Sequence, residues 1–135
     1  MFMGGKDKKI LLVDDAKTIR LMLRKYLERF GFNNIIEAEN GAEGITMFHS
    51  ERPDIIFLDI NMPDVDGLET LKNILEEDPF ARIILVTAES MEDERVKDSI
   101  GLGAFRYIQK PISAAKISLV LKELDRDDAN LTSIA

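Results

Sequence analysis

Short apolar runs alternate along this chain with longer segments in which apolar residues recur every three or four positions. Runs of four to six residues rich in Ile, Leu, Val and Phe are typical of strands, and the longer period is typical of helices. The predicted strands are residues 9–13, 35–38, 54–58, 82–86 and 104–109. Each is followed by a helical segment, so the pattern predicts five successive strand-then-helix units.

The helical segments are amphipathic and are separated by turn residues. Gly31 is the predicted C-cap of the first helix, and Pro53 and Pro79 mark the ends of the next two helices. The residues expected to point inward are Ile19, Leu23, Tyr26, Leu27 and Phe30 in the first helix, Ala42, Ile45 and Phe48 in the second, Leu68, Leu71, Ile74 and Leu75 in the third, Val96 and Ile100 in the fourth, and Ile117, Val120, Leu121 and Leu124 in the last. Every helix therefore has one face to bury against a sheet.

Five such units with short connections predict an α/β fold, a doubly wound five-stranded parallel sheet with helices on both faces. After their first residues the third and fourth strands are fully apolar, which fits central parallel strands covered on both faces. Right-handed crossovers leave few topologies, and the flavodoxin-like order 2-1-3-4-5 is the natural choice. Binding sites in such sheets lie beyond the carboxyl ends of the strands, so these ends are where functional residues are expected.

Length and composition narrow the class of protein. The chain has 135 residues, 45% hydrophobic and 32% charged, which is typical of one globular domain. We expect a flexible segment at 1–7, the folded domain at 8–125 and a frayed tail at 126–135. No apolar run is long enough for a signal peptide or a membrane span, and a cytoplasmic location without membrane contact is expected.

Charge and cysteine content exclude further classes. There is no Cys, so disulfides, zinc thiolates and catalytic thiols are excluded. The net charge of −7 and the lack of a basic stretch argue against nucleic-acid binding by this domain. An acidic surface suits a divalent cation or a partner with a basic surface.

Polar residues stand at the predicted strand ends. Asp14 and Asp15 follow the first strand, Asp59 the third, Thr87 the fourth and Lys110 the fifth. Strands one and three are neighbours in the predicted order, so three carboxylates are expected in one pocket. Their mutual repulsion requires a counter-charge, and few carboxylates with oxygen-only ligands describe a Mg²⁺ site.

The same residues suit phosphoryl chemistry. An aspartate can act as a nucleophile toward phosphorus, and a metal, an ammonium and a hydroxyl can stabilise the transferring oxygens. Each residue also has an ordinary explanation: Asp14, Asp15 and Asp59 as caps or turn residues, Thr87 as a strand end, Lys110 as a solvated lysine. Their joint arrangement favours the functional interpretation.

Four motifs carry a family resemblance. "ILLVDDAKTIR", "RPDIIFLDINMPDVDG", "ILVTAES" and "GAFRYIQKP" occur in this order between about residues 8 and 125. Together they resemble the CheY-like receiver domain of two-component response regulators, the chemotaxis regulator type, which has the flavodoxin-like strand order. The resemblance implies a phosphorelay switch that accepts a phosphoryl group from a sensor histidine kinase or phosphotransfer protein. It implies no enzyme activity except on its own aspartyl phosphate.

The resemblance also implies residue roles. Asp59 would be the phosphoacceptor, with Mg²⁺ held by Asp14, Asp15, Asp59 and the backbone carbonyl of Asn61, Asp15 directly and Asp14 through water. Thr87, Ala88 and Lys110 would surround the phosphate, Ala88 being small enough to admit it. Asn61 and Glu89 occupy the positions that modulate aspartyl-phosphate lifetime, and the peptide bond between Lys110 and Pro111 would be cis.

The output surface follows from the same resemblance. Tyr107, otherwise an ordinary strand aromatic, would be a switch residue that turns inward as Thr87 moves toward the phosphate. The surface of the fourth helix, fifth strand and fifth helix would then bind a downstream protein or support a phosphorylation-dependent dimer. Arg106 and the extra glycine of "GLGA" depart from the family pattern and border this surface.

Three other functions stay open at this point. An aspartyl-phosphate hydrolase of the haloacid dehalogenase type would need Asp-x-Asp-x-Thr/Val, and residues 59–63 lack its second acid. A flavin module would need a phosphate loop in place of Asp14 and Asp15. A pseudo-receiver, an interaction module that is never phosphorylated, would not need the acids. The sole histidine, His49, is expected at the surface of the second helix.

Overall fold

The computed structural model describes residues 7–63 and 65–134, with side chains of the last helix through Ala129. Ten elements alternate along these residues. They are β1 (Lys9–Val13), α1 (Lys17–Arg29), β2 (Asn34–Ala38), α2 (Gly41–Glu51), β3 (Ile55–Leu58), α3 (Gly67–Glu77), β4 (Arg82–Thr87), α4 (Glu94–Leu102), β5 (Arg106–Gln109) and α5 (Ala114–Ile134). The predicted strand-then-helix alternation is confirmed.

The five strands form one parallel sheet in the order β2-β1-β3-β4-β5. This is the predicted doubly wound, flavodoxin-like topology. Val13 is in register with Ala38 on one side and with Leu58 on the other. The residues that follow Val13 and Leu58 therefore emerge side by side at the carboxyl edge of the sheet.

The core consists of two apolar layers, one on each face of the sheet. Alternate strand residues point to opposite faces, so both layers draw on the same strands. One layer packs against α1 and α5 and includes Ile10, Leu12, Phe57, Ile84, Val86, Leu23, Leu27, Ile117 and Leu121. The other packs beneath α2, α3 and α4 and includes Leu11, Val13, Ile56, Leu58, Leu85, Phe48, Leu71, Ile74 and Val96. Burial on both faces explains why β3 and residues 83–86 of β4 are apolar.

The predicted inward face of α2 is partly wrong. Ala42 is exposed, and the buried residues of this helix are Gly41, Gly44 and Phe48. A Cβ added at Gly44 would lie 3.0 Å from Val13 Cγ1, so the helix approaches β1 more closely than a larger residue would allow. Glycine carries no hydrophobic signal, which is why the periodicity favoured Ala42 instead.

Several element boundaries differ from the predictions. β5 begins at Arg106 instead of Ala104, although the Phe105 backbone N–H still donates to the Ile83 carbonyl at 2.7 Å. Gly31, with φ 99°, follows the last residues of α1 as expected of a helix end. These shifts of one or two residues leave the topology unchanged.

The segments on either side of the predicted domain, 1–7 and 126–135, are expected to be flexible or frayed. α5 continues to Ile134, and Arg82 makes ion pairs with Asp127 and Asp128. Fraying of residues 126–135 therefore stays a prediction, as does flexibility of the segment 1–7, of which residues 1–6 lie outside the described part. Among the residues with described positions, no helix is long and apolar enough to cross a bilayer.

Candidate metal centre at the carboxyl edge of the sheet

Three carboxylates meet where β1 and β3 end. Asp14 and Asp59 directly follow these strands, and the Asp59 backbone N–H donates to the Val13 carbonyl at 3.0 Å. One carboxylate oxygen from each of Asp14, Asp15 and Asp59 lies within 4.8 Å of the others. Asp14 is 2% exposed and Asp59 5% exposed, whereas Asp15 faces solvent. Two buried acids and one exposed acid thus form a pocket open on one side.

Each buried carboxylate is held by one hydrogen bond to its own turn and one ion pair to a shared cation. The Ala16 backbone N–H donates to Asp14 Oδ1 at 2.8 Å, and the Asn61 backbone N–H donates to Asp59 Oδ1 at 2.9 Å. The other oxygens, Asp14 Oδ2 and Asp59 Oδ2, accept from Lys110 Nζ at 3.1 and 3.2 Å. Lys110 therefore bridges the acids across the pocket.

The electrostatics of the pocket leave negative charge uncompensated. Burial raises the pKa of the Asp14 carboxyl and the charge of Asp59 adds to this, while the Ala16 N–H and Lys110 oppose it. Burial works to lower the pKa of Lys110, but Asp14 and Asp59 outweigh it and raise that pKa. Three carboxylates lie together and two of them share one ammonium, so a divalent cation with oxygen ligands fits both the charge and the donor set.

The positions of Lys110 and Thr87 are fixed by the ends of β4 and β5. The Lys110 backbone N–H donates to the Thr87 carbonyl at 2.8 Å, and the peptide bond between Lys110 and Pro111 is cis. Thr87 is fully buried, and its Oγ1 accepts from the Glu89 backbone N–H at 3.3 Å. Ala88, between Thr87 and Glu89 in the sequence, is exposed, and its carbonyl accepts from Gln109 Nε2 at 3.3 Å.

A polar rim lies beside the acids. Asn61 Nδ2 donates to Glu89 Oε1 at 3.1 Å, so the two predicted lifetime-modulating residues contact each other. Arg95 of α4 donates to Asn61 Oδ1 from both terminal nitrogens at 3.4 Å. The rim therefore joins the β3–α3 turn, the β4–α4 loop and α4.

Tyr107 is half-buried on β5 and points toward the β4–α4 loop. Its hydroxyl donates to the Glu89 backbone carbonyl. Burial raises the pKa of the Tyr107 phenol, and the nearby charges of Glu89 and Asp93 raise it further. The phenol is therefore neutral at physiological pH and is tied to the loop that begins at Thr87.

Sequence reasoning missed a buried arginine behind the site. Arg20 is 8% exposed, and its guanidinium donates to the Asp14 carbonyl at 2.6 Å and to Glu37 Oε1 at 2.9 Å. Arg24 donates to Glu37 Oε2 at 2.9 Å. Arg20 lies one turn before Leu23 on the inward face of α1, and this position was the only signal in the sequence.

The steric requirement for glycine at Gly67, next to the site, was also not evident from the sequence. Gly67 begins α3, and a Cβ added to it would lie 2.1 Å from Ile60 Cα and 2.3 Å from the Asp59 carbonyl oxygen. Only glycine lets the first turn of α3 rest directly on the backbone of Asp59. His49, in contrast, is exposed on α2 as expected, with Nδ1 3.3 Å from Glu77 Oε2.

Comparison with known proteins agrees with this geometry. Residues 10–122 match the family described as the response regulator receiver domain. The chemotaxis protein CheY of Listeria monocytogenes is 38% identical over 115 residues, which cover 85% of this chain and 96% of that protein. The chemotaxis protein CheY of Bacillus subtilis is 39% identical over 109 residues, 81% of this chain and 90% of that protein.

A solved structure extends the comparison to three dimensions. The CheX–CheY–BeF3–Mg complex from Borrelia burgdorferi contains a chain with a TM-score of 0.82 and 34% identity, covering 87% of this chain and 88% of that one. The chain belongs to the response regulator receiver family, of the CheY-like type that acts in two-component systems. Members of this family are signalling switches and not classical enzymes.

Proposed function

We propose that this protein is a phosphorylation-activated switch in which Asp59 accepts a phosphoryl group from a sensor histidine kinase or phosphotransfer protein. The observation that carries the proposal is that Asp14, Asp15 and Asp59 come together and that the two buried acids, Asp14 and Asp59, share the ammonium of Lys110. A stability role alone does not account for it, because burying like charges together is costly. A cytoplasmic location follows from this function and is proposed with it.

Mg²⁺ is the proposed cofactor, held by Asp14, Asp15, Asp59 and the backbone carbonyl of Asn61. When bound, it would supply positive charge to the oxygens of the transferring phosphoryl group. The donor set supports this assignment, because it offers only oxygen ligands and an excess of negative charge. The exposed position of Asp15 leaves one side of the pocket accessible to a solvated ion.

The chemistry at Asp59 is a single displacement. A carboxylate oxygen of Asp59 forms a bond to phosphorus while the bond from phosphorus to the donor's histidine nitrogen breaks, and the histidine leaves. The Asn61 backbone N–H holds Oδ1 at 2.9 Å and so fixes the orientation of the carboxylate. Lys110, whose Nζ lies 3.2 Å from Oδ2, would pair with the incoming phosphoryl oxygens, and Thr87 and Ala88 would border the same space.

The proposed switch connects this site to the α4-β5-α5 face. The phosphoryl group carries about −1.5 to −2 charges, and because the Asp59 carboxylate loses its own charge when it is modified, the net addition at the site is about −1. Turning a 1:99 equilibrium into 99:1 requires about 5.5 kcal/mol of preference for the active state. Thr87 would move toward the phosphoryl group and carry the β4–α4 loop with it. Tyr107, whose hydroxyl binds the Glu89 carbonyl in that loop, would reposition in response.

The downstream partner is proposed to be a protein that docks on this face. Arg106 on β5 and Leu119 on α5 are exposed there, so the face offers both charge and apolar surface. The solved Borrelia burgdorferi relative forms a complex with CheX, which supports a protein as the partner class. The same face would serve a phosphorylation-dependent dimer.

The proposal is tested by the intact mass of the protein after incubation with Mg²⁺ and acetyl phosphate. We expect one added phosphoryl group on the wild type and none on Asp59→Asn. Asp54→Asn is the matched control, because Asp54 is exposed at the opposite end of the same strand, where it accepts from the Lys9 backbone N–H at 2.7 Å. A wild type that acquires no phosphoryl group would instead identify the domain as a pseudo-receiver.

The switch is tested by amide NMR spectra recorded with and without Mg²⁺ and beryllofluoride. We expect the largest shifts at the pocket and a second set at Tyr107, Arg106 and the first turn of α4. Shifts confined to the neighbours of Asp59 would refute a switch that reaches the α4-β5-α5 face.

A further inference from the structure

Arg95 is anchored to the rim of the pocket although it belongs to α4. Its guanidinium carries a shared hydrogen bond to Asn61 Oδ1 at 3.4 Å and lies 3.6 Å from Asp93 Oδ1. Asp93 is the N-cap of α4 and accepts from the Arg95 backbone N–H at 2.8 Å. The guanidinium is therefore held at the start of α4 and directed toward the β3–α3 turn.

The contact continues across the pocket to a third element. Asn61 accepts from Arg95 through its oxygen and donates to Glu89 Oε1 through its nitrogen at 3.1 Å. This chain of three side chains is called the rim clasp below. Because the Asn61 amide uses its oxygen on one side and its nitrogen on the other, Arg95 fixes the orientation in which Asn61 can reach Glu89.

The backbones of Asn61 and Glu89 are each hydrogen-bonded to a residue of the proposed reaction site. The Asn61 backbone N–H binds Asp59 Oδ1 at 2.9 Å, and the Glu89 backbone N–H binds Thr87 Oγ1 at 3.3 Å. The side chains of Asn61 and Glu89 thus cross the mouth of the pocket, on the solvent side of the buried Asp59 and Thr87. Water that approaches Asp59 from the side of the β4–α4 loop passes this rim.

We propose that Arg95 is a positioning residue that closes the rim clasp and thereby slows hydrolysis of the aspartyl phosphate. The inference rests on the proposed function, because it requires a phosphoryl group on Asp59. In hydrolysis a water oxygen forms a bond to phosphorus while the bond between phosphorus and the Asp59 oxygen breaks. Inorganic phosphate and the free carboxylate result, and the proton of the water passes to phosphate or solvent.

The direction of the effect follows from the geometry. With Arg95 in place, the Asn61 amide and the Glu89 carboxylate stay joined and obstruct the path of the attacking water. Without Arg95 the amide keeps only its hydrogen bond to Glu89, and the mouth opens more readily. The Arg95 side chain is 37% exposed, so solvent partly screens its hydrogen bond and the expected effect is modest. We expect Arg95→Ala to accelerate dephosphorylation roughly twofold to fivefold.

The experiment follows the decay of phosphorylated protein after removal of the small-molecule donor, by intact mass at fixed Mg²⁺. The variants are Arg95→Ala, Arg95→Lys and the control Lys97→Ala, which removes an exposed cation from the same helix. Arg95→Lys is expected to fall between wild type and Arg95→Ala, because lysine keeps the charge without the paired donors. Lys97→Ala is expected to decay like the wild type, which separates the clasp from loss of positive charge on α4.

A double-mutant cycle separates the clasp from a general effect on folding. Asn61→Ala removes the acceptor but retains the backbone N–H and carbonyl. If Arg95 acts through Asn61, Arg95→Ala changes the decay rate in the wild type and leaves it unchanged in the Asn61→Ala background. Equal acceleration in both backgrounds would overturn the proposal.

The remaining outcomes also decide the question. If both proteins are phosphorylated and Arg95→Ala loses the phosphoryl group at the wild-type rate, the clasp is overturned and the proposed function stands. A wild type that never acquires the phosphoryl group would overturn both.

Discussion

Gly67 provides a prediction whose size is set by the contacts of α3 with the phosphoacceptor strand. In Gly67→Ala the new Cβ would lie 2.1 Å from Ile60 Cα, 2.3 Å from the Asp59 carbonyl oxygen and 2.8 Å from the Ile60 nitrogen. All three atoms belong to the backbone, so no side-chain rotation relieves the clash. Either α3 or the β3–α3 turn must shift by about 1 Å or more to restore ordinary contact distances.

Overpacking of a well-packed interior costs about 1–3 kcal/mol, and a clash with backbone on this scale belongs at the upper end. We therefore expect Gly67→Ala to lower the free energy of unfolding by about 3 kcal/mol, a large part of the 5–15 kcal/mol typical of a domain. The measurement is urea denaturation followed by circular dichroism. The shift also displaces the Asp59 backbone, so the Mg²⁺-induced stabilisation should decrease in the variant.

Gly101→Ala is the matched control for this substitution. Gly101 lies within α4 and a Cβ added there meets nothing within 4 Å, so helix propensity alone decides the outcome. We expect Gly101→Ala to be as stable as the wild type or more stable by up to about 1 kcal/mol. If Gly67→Ala were as stable as Gly101→Ala, α3 would not rest on the Asp59 backbone and the reasoning would fail.

Two further substitutions test the charges around the site. Lys110→Met removes the cation that Asp14 and Asp59 share, and without Mg²⁺ it should lower the free energy of unfolding by about 3 kcal/mol. Added Mg²⁺ should restore more stability to this variant than to wild type, as read by thermal unfolding, with the exposed Lys122→Met as control. Equal stability of Lys110→Met and wild type without Mg²⁺ would contradict the assigned pairing. Burial works to raise the pKa of Glu37, but hydrogen bonds from Arg24 and Arg20 outweigh it and lower that pKa below the ordinary 4.5. The stability advantage of wild type over Glu37→Gln, about 1 kcal/mol, should be complete at neutral pH. It should disappear as the pH falls below 4.5 through the folded pKa, as read by urea denaturation across a pH series. An advantage that is constant with pH would show that the charge of Glu37 plays no part.

The sheet and the convergence of the acids were predictable from the sequence. Short apolar runs that alternate with segments of period 3.6 indicate parallel strands joined by helices, and in-register parallel strands deliver their following residues to one edge. Asp14 and Asp59 therefore had to be neighbours once β1 and β3 were adjacent. No distance was needed for that inference.

The residues that support the site were not predictable in the same way. The position of Arg20 on the inward face of α1 does not name its partner, Glu37 on β2, and that contact depends on the tertiary packing of α1. Gly41 and Gly44 carry no hydrophobic signal, so the inward face of α2 was misplaced. Arg95 reaches Asn61 only because α4 starts beside the β3–α3 turn. In each case the contact joins elements that are distant in sequence.

The most direct test of the central assignment maps the site of modification. The protein is phosphorylated in Mg²⁺, the acyl phosphate is reduced with borohydride to the stable alcohol, and the proteolytic peptides are sequenced by mass spectrometry. The assignment predicts modification of the peptide that contains Asp59, at Asp59 itself, and no modification when Mg²⁺ is chelated. Modification at Asp14 or Asp15, or none in the presence of Mg²⁺, would contradict it.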